Sequence, residues 1–77
     1  MNVFDQVKEY ILMQLPVGED KVNAEAKLID DLGADSANLM MLIMDLEAEY
    51  DMTVEDEALT TIKTVGDIVS YIEAHKV

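Results

Sequence analysis

The chain has 77 residues, with seventeen acidic and five basic side chains, a formal net charge of −12 and no cysteine. A domain of that length hides only about 60% of the surface its unfolded chain exposes, which leaves no depth for a water-excluding enzyme pocket. The missing cysteine excludes disulfides, thiolate catalysis and zinc-thiolate sites and fits a reducing, cytoplasmic setting, while the charge repels nucleic acid and anionic membrane.

Val3, Phe4, Val7, Ile11 and Leu15 recur at three- and four-residue steps, the period of an amphipathic helix, with Asn2 placed to cap it and Pro16 to end it. Asp5, Lys8, Glu9 and Gln14 interrupt the apolar residues, so the segment reads as neither a secretory signal nor a membrane span. From Val17 to Asp35 the periodicity dissolves into a connection with Gly18, Asn23 and Gly33 as loop formers. Val17, Val22, Leu28, Ile29 and Leu32 are expected to pin this loop onto a core. A loop of that length in so small a domain is often functional.

The second predicted helix runs from Ser36 to Tyr50. At about 100° per residue, Leu39, Leu42, Ile43, Leu46 and Tyr50 share a core face, whereas Ala37, Met41, Met44 and Ala48 fall on the opposite side. A small domain has no second core for that strip. A short extended or helical piece follows through Met52, Val54, Ala58, Leu59 and Ile62. Thr64-Val65-Gly66-Asp67 then offers a hydroxyl cap with a carboxylate three residues on, ahead of Val65, Ile68, Val69 and Ile72 on one helical face.

Acidic residues concentrate around the second helix. Between Leu28 and Ile62 there is no lysine or arginine, yet ten of the seventeen acids fall there. Such a field steers basic protein surfaces toward it, with an attraction that weakens as salt rises.

Ser36 follows Asp35 at the start of the second helix, and two readings stand open. In one, Asp35 caps the helix and the Ser36 hydroxyl is left free for modification; in the other, Ser36 is itself the cap. Catalysis by Ser36 alone is not expected, because a nucleophilic serine needs an oriented base within reach. The single histidine, His75, reads as a solvent-facing residue at the end of the last helix. No window has the alternating oxygen ligands, central glycine and closing glutamate of a calcium loop, so no metal site is expected.

The run Asp31-Leu32-Gly33-Ala34-Asp35-Ser36, followed by Leu39, Leu42, Met44, Leu46, Glu47 and Glu49-Tyr50-Asp51, resembles the acyl carrier proteins of fatty-acid and polyketide synthesis. The resemblance covers nearly the whole chain and includes the late Thr64-Val65-Gly66-Asp67-Ile68. It implies an all-α fold, a small antiparallel bundle of three longer helices plus one short helix, with residues 1–77 forming a single free-standing carrier domain. Ser36 would be the site at which a phosphopantetheinyl transferase installs 4'-phosphopantetheine from coenzyme A, and acyl groups would ride on that arm as thioesters. The protein would be a carrier rather than an enzyme.

The resemblance also implies partners: acyl-loading, ketosynthase and other acyl-processing enzymes with basic or apolar docking patches, met by a monomer. The docking surface would be the second helix, through Asp35, Ala37, Asn38, Met41, Met44, Asp45, Glu47 and Ala48. The acyl chain would retreat among Leu28, Leu46, Val54, Leu59, Ile62 and Ile68, positions that ordinary core packing explains equally well. Relatives often carry acids where this chain has Asn38, Met41 and Ala48, and leucine where it has Ala37. Docking is therefore expected to lean more on apolar contact, in a dedicated pathway rather than bulk synthesis. A D-alanyl or other specialised carrier, and outside the carriers an acidic helical adaptor offering its methionine strip to a partner helix, are the alternatives.

Overall fold

A computed structural model describes residues 2–75. Its elements are α1 (Val3–Gln14), a single 3₁₀ turn (Glu19–Lys21), α2 (Ser36–Tyr50), the short α3 (Asp56–Leu59) and α4 (Val65–His75). The Asn2 side chain accepts from the Asp5 N–H at 2.8 Å and so caps α1. The ambiguous piece after α2 divides into an extended run over residues 52–55 and the one-turn α3.

α1 and α2 run antiparallel, as two cross-links show. Tyr10 donates to Glu49 and, one turn further along α1, Gln14 donates to Asp45, one turn back along α2, both at 2.7 Å. α1 also packs on α4. The buried core joins Val7 and Ile11 of α1, Leu42 and Leu46 of α2, and Val65, Ile68 and Ile72 of α4. Burying side chains of this size contributes about 1.5–3 kcal/mol each, which is how a chain with so few residues pays for ordering its backbone. Val3, Leu15, Val22, Leu28, Leu32 and Ile62 extend the cluster, and Leu39, Tyr50 and Val69 pack half-buried against it.

The long loop is held mainly by the start of α4. A helix leaves its first four amides without intrahelical partners, and here each is satisfied. Val65 N–H donates to Ala26 O at 3.0 Å and Gly66 N–H to Ala24 O at 2.9 Å. Asp67 N–H donates to Thr64 Oγ1 at 3.1 Å, and Ile68 N–H to Thr64 O at 3.3 Å. The Asp67 carboxylate reaches back to the N–H groups of Lys63 and Thr64, at 3.0 and 3.1 Å, completing the expected capping box. Leu28 N–H donates to Lys63 O at 2.9 Å, beside an isolated antiparallel bridge between Lys27 and Thr64.

One expected loop anchor is wrong. Ile29 is 58% exposed, because residues 27–33 form helix-like turns, with Asp31 N–H on Lys27 O and Gly33 N–H on Ile29 O. That geometry points Leu28 and Leu32 inward together, four residues apart, and swings Ile29 out. Val17 is half-buried rather than fully enclosed, while Ala26 and Ala34 supply buried contacts instead.

Candidate functional site at the start of α2

The chain reaches α2 through Gly33, whose φ of +74° suits glycine, with open space where a Cβ would stand. Ala34 is buried and its N–H donates to Leu28 O at 2.9 Å, so the backbone is anchored one residue before the cap. Asp35 is extended and its Oδ1 accepts from Asn38 N–H at 2.8 Å; Asn38 Oδ1 accepts in turn from Asp35 N–H at 3.3 Å. Of the two readings left open above, the first holds: Asp35 is the cap and Ser36 the first helical residue. Ser36 is exposed, and its hydroxyl makes no hydrogen bond among the described residues. The N–H groups of Ser36 and Ala37 likewise find no acceptor among the described residues.

Among the described residues no side chain hydrogen-bonds the Ser36 hydroxyl, and the single histidine lies elsewhere. His75 closes α4, while the start of α4 is tied to the loop that leads into Ser36. At 1.5 Å per residue the helix carries His75 ~15 Å from that end. It is exposed, hydrogen-bonds the Tyr71 carbonyl at 2.9 Å and stacks on the Tyr71 ring with centroids 4.0 Å apart.

Along α2, Ala37, Met41, Met44 and Ala48 are all exposed, Met41 by 58% and Met44 by 61%. The acids beside them are internally engaged. Asp35 holds the cap, Asp45 accepts from Gln14, and Glu49 accepts from Tyr10. That last bond, with lesser help from desolvation, raises the Tyr10 hydroxyl above its ordinary pKa. Glu47 is half-buried and accepts the Val54 N–H at 2.7 Å, tying α2 to the extended run before α3. Spacing alone did not reveal the ties of Asp45, Glu49 and Glu47, since each partner lies in another element or across a turn.

The expected acyl-cavity residues separate into two neighbouring spaces. Leu28, Leu59 and Ile62 line a groove of about 600 Å³ together with Leu39, which stands one turn along α2 from Ser36. Leu46, Val54, Ile62 and Ile68 surround a void of about 10 Å³ in the interior, with Ile62 common to both. A void of that size barely admits one water, so any occupant of the interior must first part the side chains.

An exposed serine, with no side chain hydrogen-bonded to it among the described residues, thus stands at the head of an acidic helix and one turn from an apolar groove. A family model described as "Phosphopantetheine attachment site" matches residues 5–72. The chain is 56% identical to an acyl carrier protein of Thermotoga maritima, covering 94% of this chain and 89% of that protein. It is 43% identical to one of Wolinella succinogenes, over 99% and 100% of the two chains. The solved acyl carrier protein of Enterococcus faecalis superposes with a TM-score of 0.83 at 32% identity, covering 99% of this chain and 100% of that one.

The chain belongs to the acyl carrier protein family. It carries acyl groups on 4'-phosphopantetheine, is not an enzyme, and is itself modified by a phosphopantetheinyl transferase; the family's usual role is fatty-acid synthesis. When bound, the group supplies a thiol on a flexible arm, which a cysteine-free chain lacks. The residues at the head of α2 fit it: an exposed hydroxyl, with two backbone N–H groups beside it that find no acceptor among the described residues, at the positive end of a helix, where a phosphate is favoured.

Proposed function

We propose that Ser36 bears the 4'-phosphopantetheine arm and that residues 1–77 act as one monomeric carrier domain. The observation that carries this is the division of labour at the head of α2. Asp35 and Asn38 satisfy each other's backbone, leaving the Ser36 hydroxyl exposed and without an internal partner. The Ser36 and Ala37 amides would hold the phosphodiester, while Asp31 and Asp35 push it outward into water. Asp31 is held in place there, because its Oδ2 accepts the Lys27 N–H at 2.8 Å.

The partners of this reading are acyl-loading, ketosynthase and other acyl-processing enzymes, in a fatty-acid-type pathway of the cytoplasm. Docking would use α2, with Ala37, Met41, Met44 and Ala48 as the contact strip and Asp35, Asn38, Asp45 and Glu47 at its margins. The internal engagement of the acids favours the strip, since a carboxylate already accepting a hydrogen bond must give part of it up to meet a basic partner. Methionine adapts to irregular surfaces, and charge supplies fast encounter without heavy burial. The strip also supports a dedicated set of partners, of polyketide or other specialised type, as the second reading.

Leu28, Leu59 and Ile62 would receive the proximal part of an acyl chain, and Leu46, Val54 and Ile68 would part to admit a longer one. Incubating the apo-protein with coenzyme A and a broad-specificity transferase tests the attachment. The mass should rise by one arm, and Ser36→Ala should abolish the gain. No gain, or a gain at another side chain, overturns the proposal.

A further inference from the structure

The groove beside Leu39 has an unusual rim. The chain has five lysines and no other cationic side chain among its charged excess of acids, yet two of those five, Lys27 and Lys63, line this one space. They come from loops 36 residues apart in sequence, brought together by the Lys27–Thr64 bridge and the Leu28 N–H to Lys63 O bond. Neither makes an ion pair among the described residues; the pair observed there is Lys8 with Glu19, at 3.9 Å. A chain with a net charge of −12 has ample carboxylates that could have paired them.

Two carboxylates also line the groove. Asp67 accepts the Lys63 and Thr64 N–H groups, and its charge also attracts the Lys63 side chain, which a ligand anion would have to share. Asp30 stands exposed at the rim and opposes any anion there. The floor is apolar and includes Ile29, whose 58% exposure the core does not explain. An apolar floor with two lysines in its lining suits a ligand that is apolar along its length and anionic at its end.

We infer that this groove receives acyl groups ending in a carboxylate, their methylenes on Leu28, Ile29, Leu59 and Ile62 and their carboxylate between Lys27 and Lys63. The inference rests on the attachment at Ser36, which tethers the cargo one turn from the groove and raises its local concentration there. An acyl group with a methyl end gains the apolar floor alone. The rim thus discriminates between cargoes of equal length by the charge at their far end.

The test compares carriers loaded from hexanoyl- and adipoyl-coenzyme A, equal in carbon number and different in the terminal carboxylate. In methyl-resolved NMR spectra the adipoyl carrier should show larger shifts at Ile29, Leu59 and Ile62 than the hexanoyl carrier at low salt, with the difference fading as salt rises. The K27Q/K63Q double variant should reduce the adipoyl shifts at least about twofold and leave the hexanoyl shifts unchanged, the range expected for exposed ion pairs. K8Q/K21Q, with the same change in net charge elsewhere, should change neither, and Asp30→Asn should enlarge the adipoyl shifts. Equal shifts for the two cargoes, or adipoyl shifts that survive K27Q/K63Q, overturn this inference alone. A carrier that takes up no arm at Ser36 overturns the attachment, and the inference with it.

Discussion

Gly66 and Ala24 meet backbone to backbone: the Gly66 N–H donates to Ala24 O at 2.9 Å, and a Cβ on Gly66 would fall 2.8 Å from that same oxygen. The contact closes the long loop onto the first turn of α4. In Gly66→Ala the helix gains up to about 1 kcal/mol in propensity, but a backbone oxygen cannot swing aside as a side chain could. The loop must shift, losing the hydrogen bond and its neighbours. A net loss of about 1–3 kcal/mol is expected, read by urea unfolding, with faster amide exchange at Gly66 and Val65. A variant as stable as the parent would show that the loop yields freely.

Local signals were legible in the sequence and cross-chain ones were not. Asn2, Asp35 and the Thr64/Asp67 pair cap helices through atoms no more than three or four residues away, so composition and spacing were enough to place α1, α2 and α4. Ser36 stood out for the same reason. Ile29 was misplaced because a loop has no period, and its turns follow from hydrogen bonds to residues 27 and 29. The ties from Glu49 to Tyr10 and from Asp45 to Gln14 span 39 and 31 residues, and only the antiparallel packing of α1 on α2 creates them. Likewise, Leu28 and Leu46 are both apolar core positions in sequence, and only the fold assigns one to the groove and the other to the interior.

Glu47 acts as a strut between α2 and the run before α3. Its Oε2 accepts the Val54 N–H at 2.7 Å in partly buried surroundings, where an amide left without its acceptor is costly. Glu47→Ala should lower stability by about 1–2 kcal/mol and speed amide exchange at Val54 selectively. Glu47→Gln, which keeps an acceptor oxygen, should retain most of both. Equal protection of Val54 in all three proteins would refute the strut.

Asp67 links stability to acid. Hydrogen bonds from the Lys63 N–H first, and then the Thr64 N–H, hold its carboxyl below the usual carboxylate range. A lowered folded pKa means the unfolded chain takes up the proton first. The contribution is therefore complete above the unfolded value of about 4 and is lost as pH falls through the folded value beneath it. Asp67→Asn should destabilise the protein at neutral pH, and the gap between variant and parent should close as pH drops below about 4. Denaturant titrations at several pH values measure it; a gap independent of pH would assign the loss to packing instead.

Self-repulsion should dominate the salt response. Against a net charge of −12, the described residues make one ion pair, Lys8 with Glu19, at the long distance of 3.9 Å. Screening therefore removes more repulsion than attraction. The melting temperature should climb with sodium chloride and climb further at equal ionic strength with magnesium. A melting temperature indifferent to both would mean that the acids are too far apart to strain the fold.

Met41 offers the sharpest probe of docking. It is 58% exposed in the middle of the Ala37–Met41–Met44–Ala48 strip, where no core remains to claim it. If partners bury it, Met41→Glu removes apolar contact and places a carboxylate against an apolar patch, without disturbing the bundle. The kcat/KM of a ketosynthase that uses the loaded carrier should then fall by about five- to tenfold, equivalent to roughly 1 kcal/mol, while the melting curve stays nearly unchanged. A partner with a basic patch would respond the other way, gaining rate at low salt and losing that gain as salt rises. Turnover unaltered at every salt concentration would show that the strip lies outside the contact, and docking would then rest on carboxylates released from Tyr10 and Gln14.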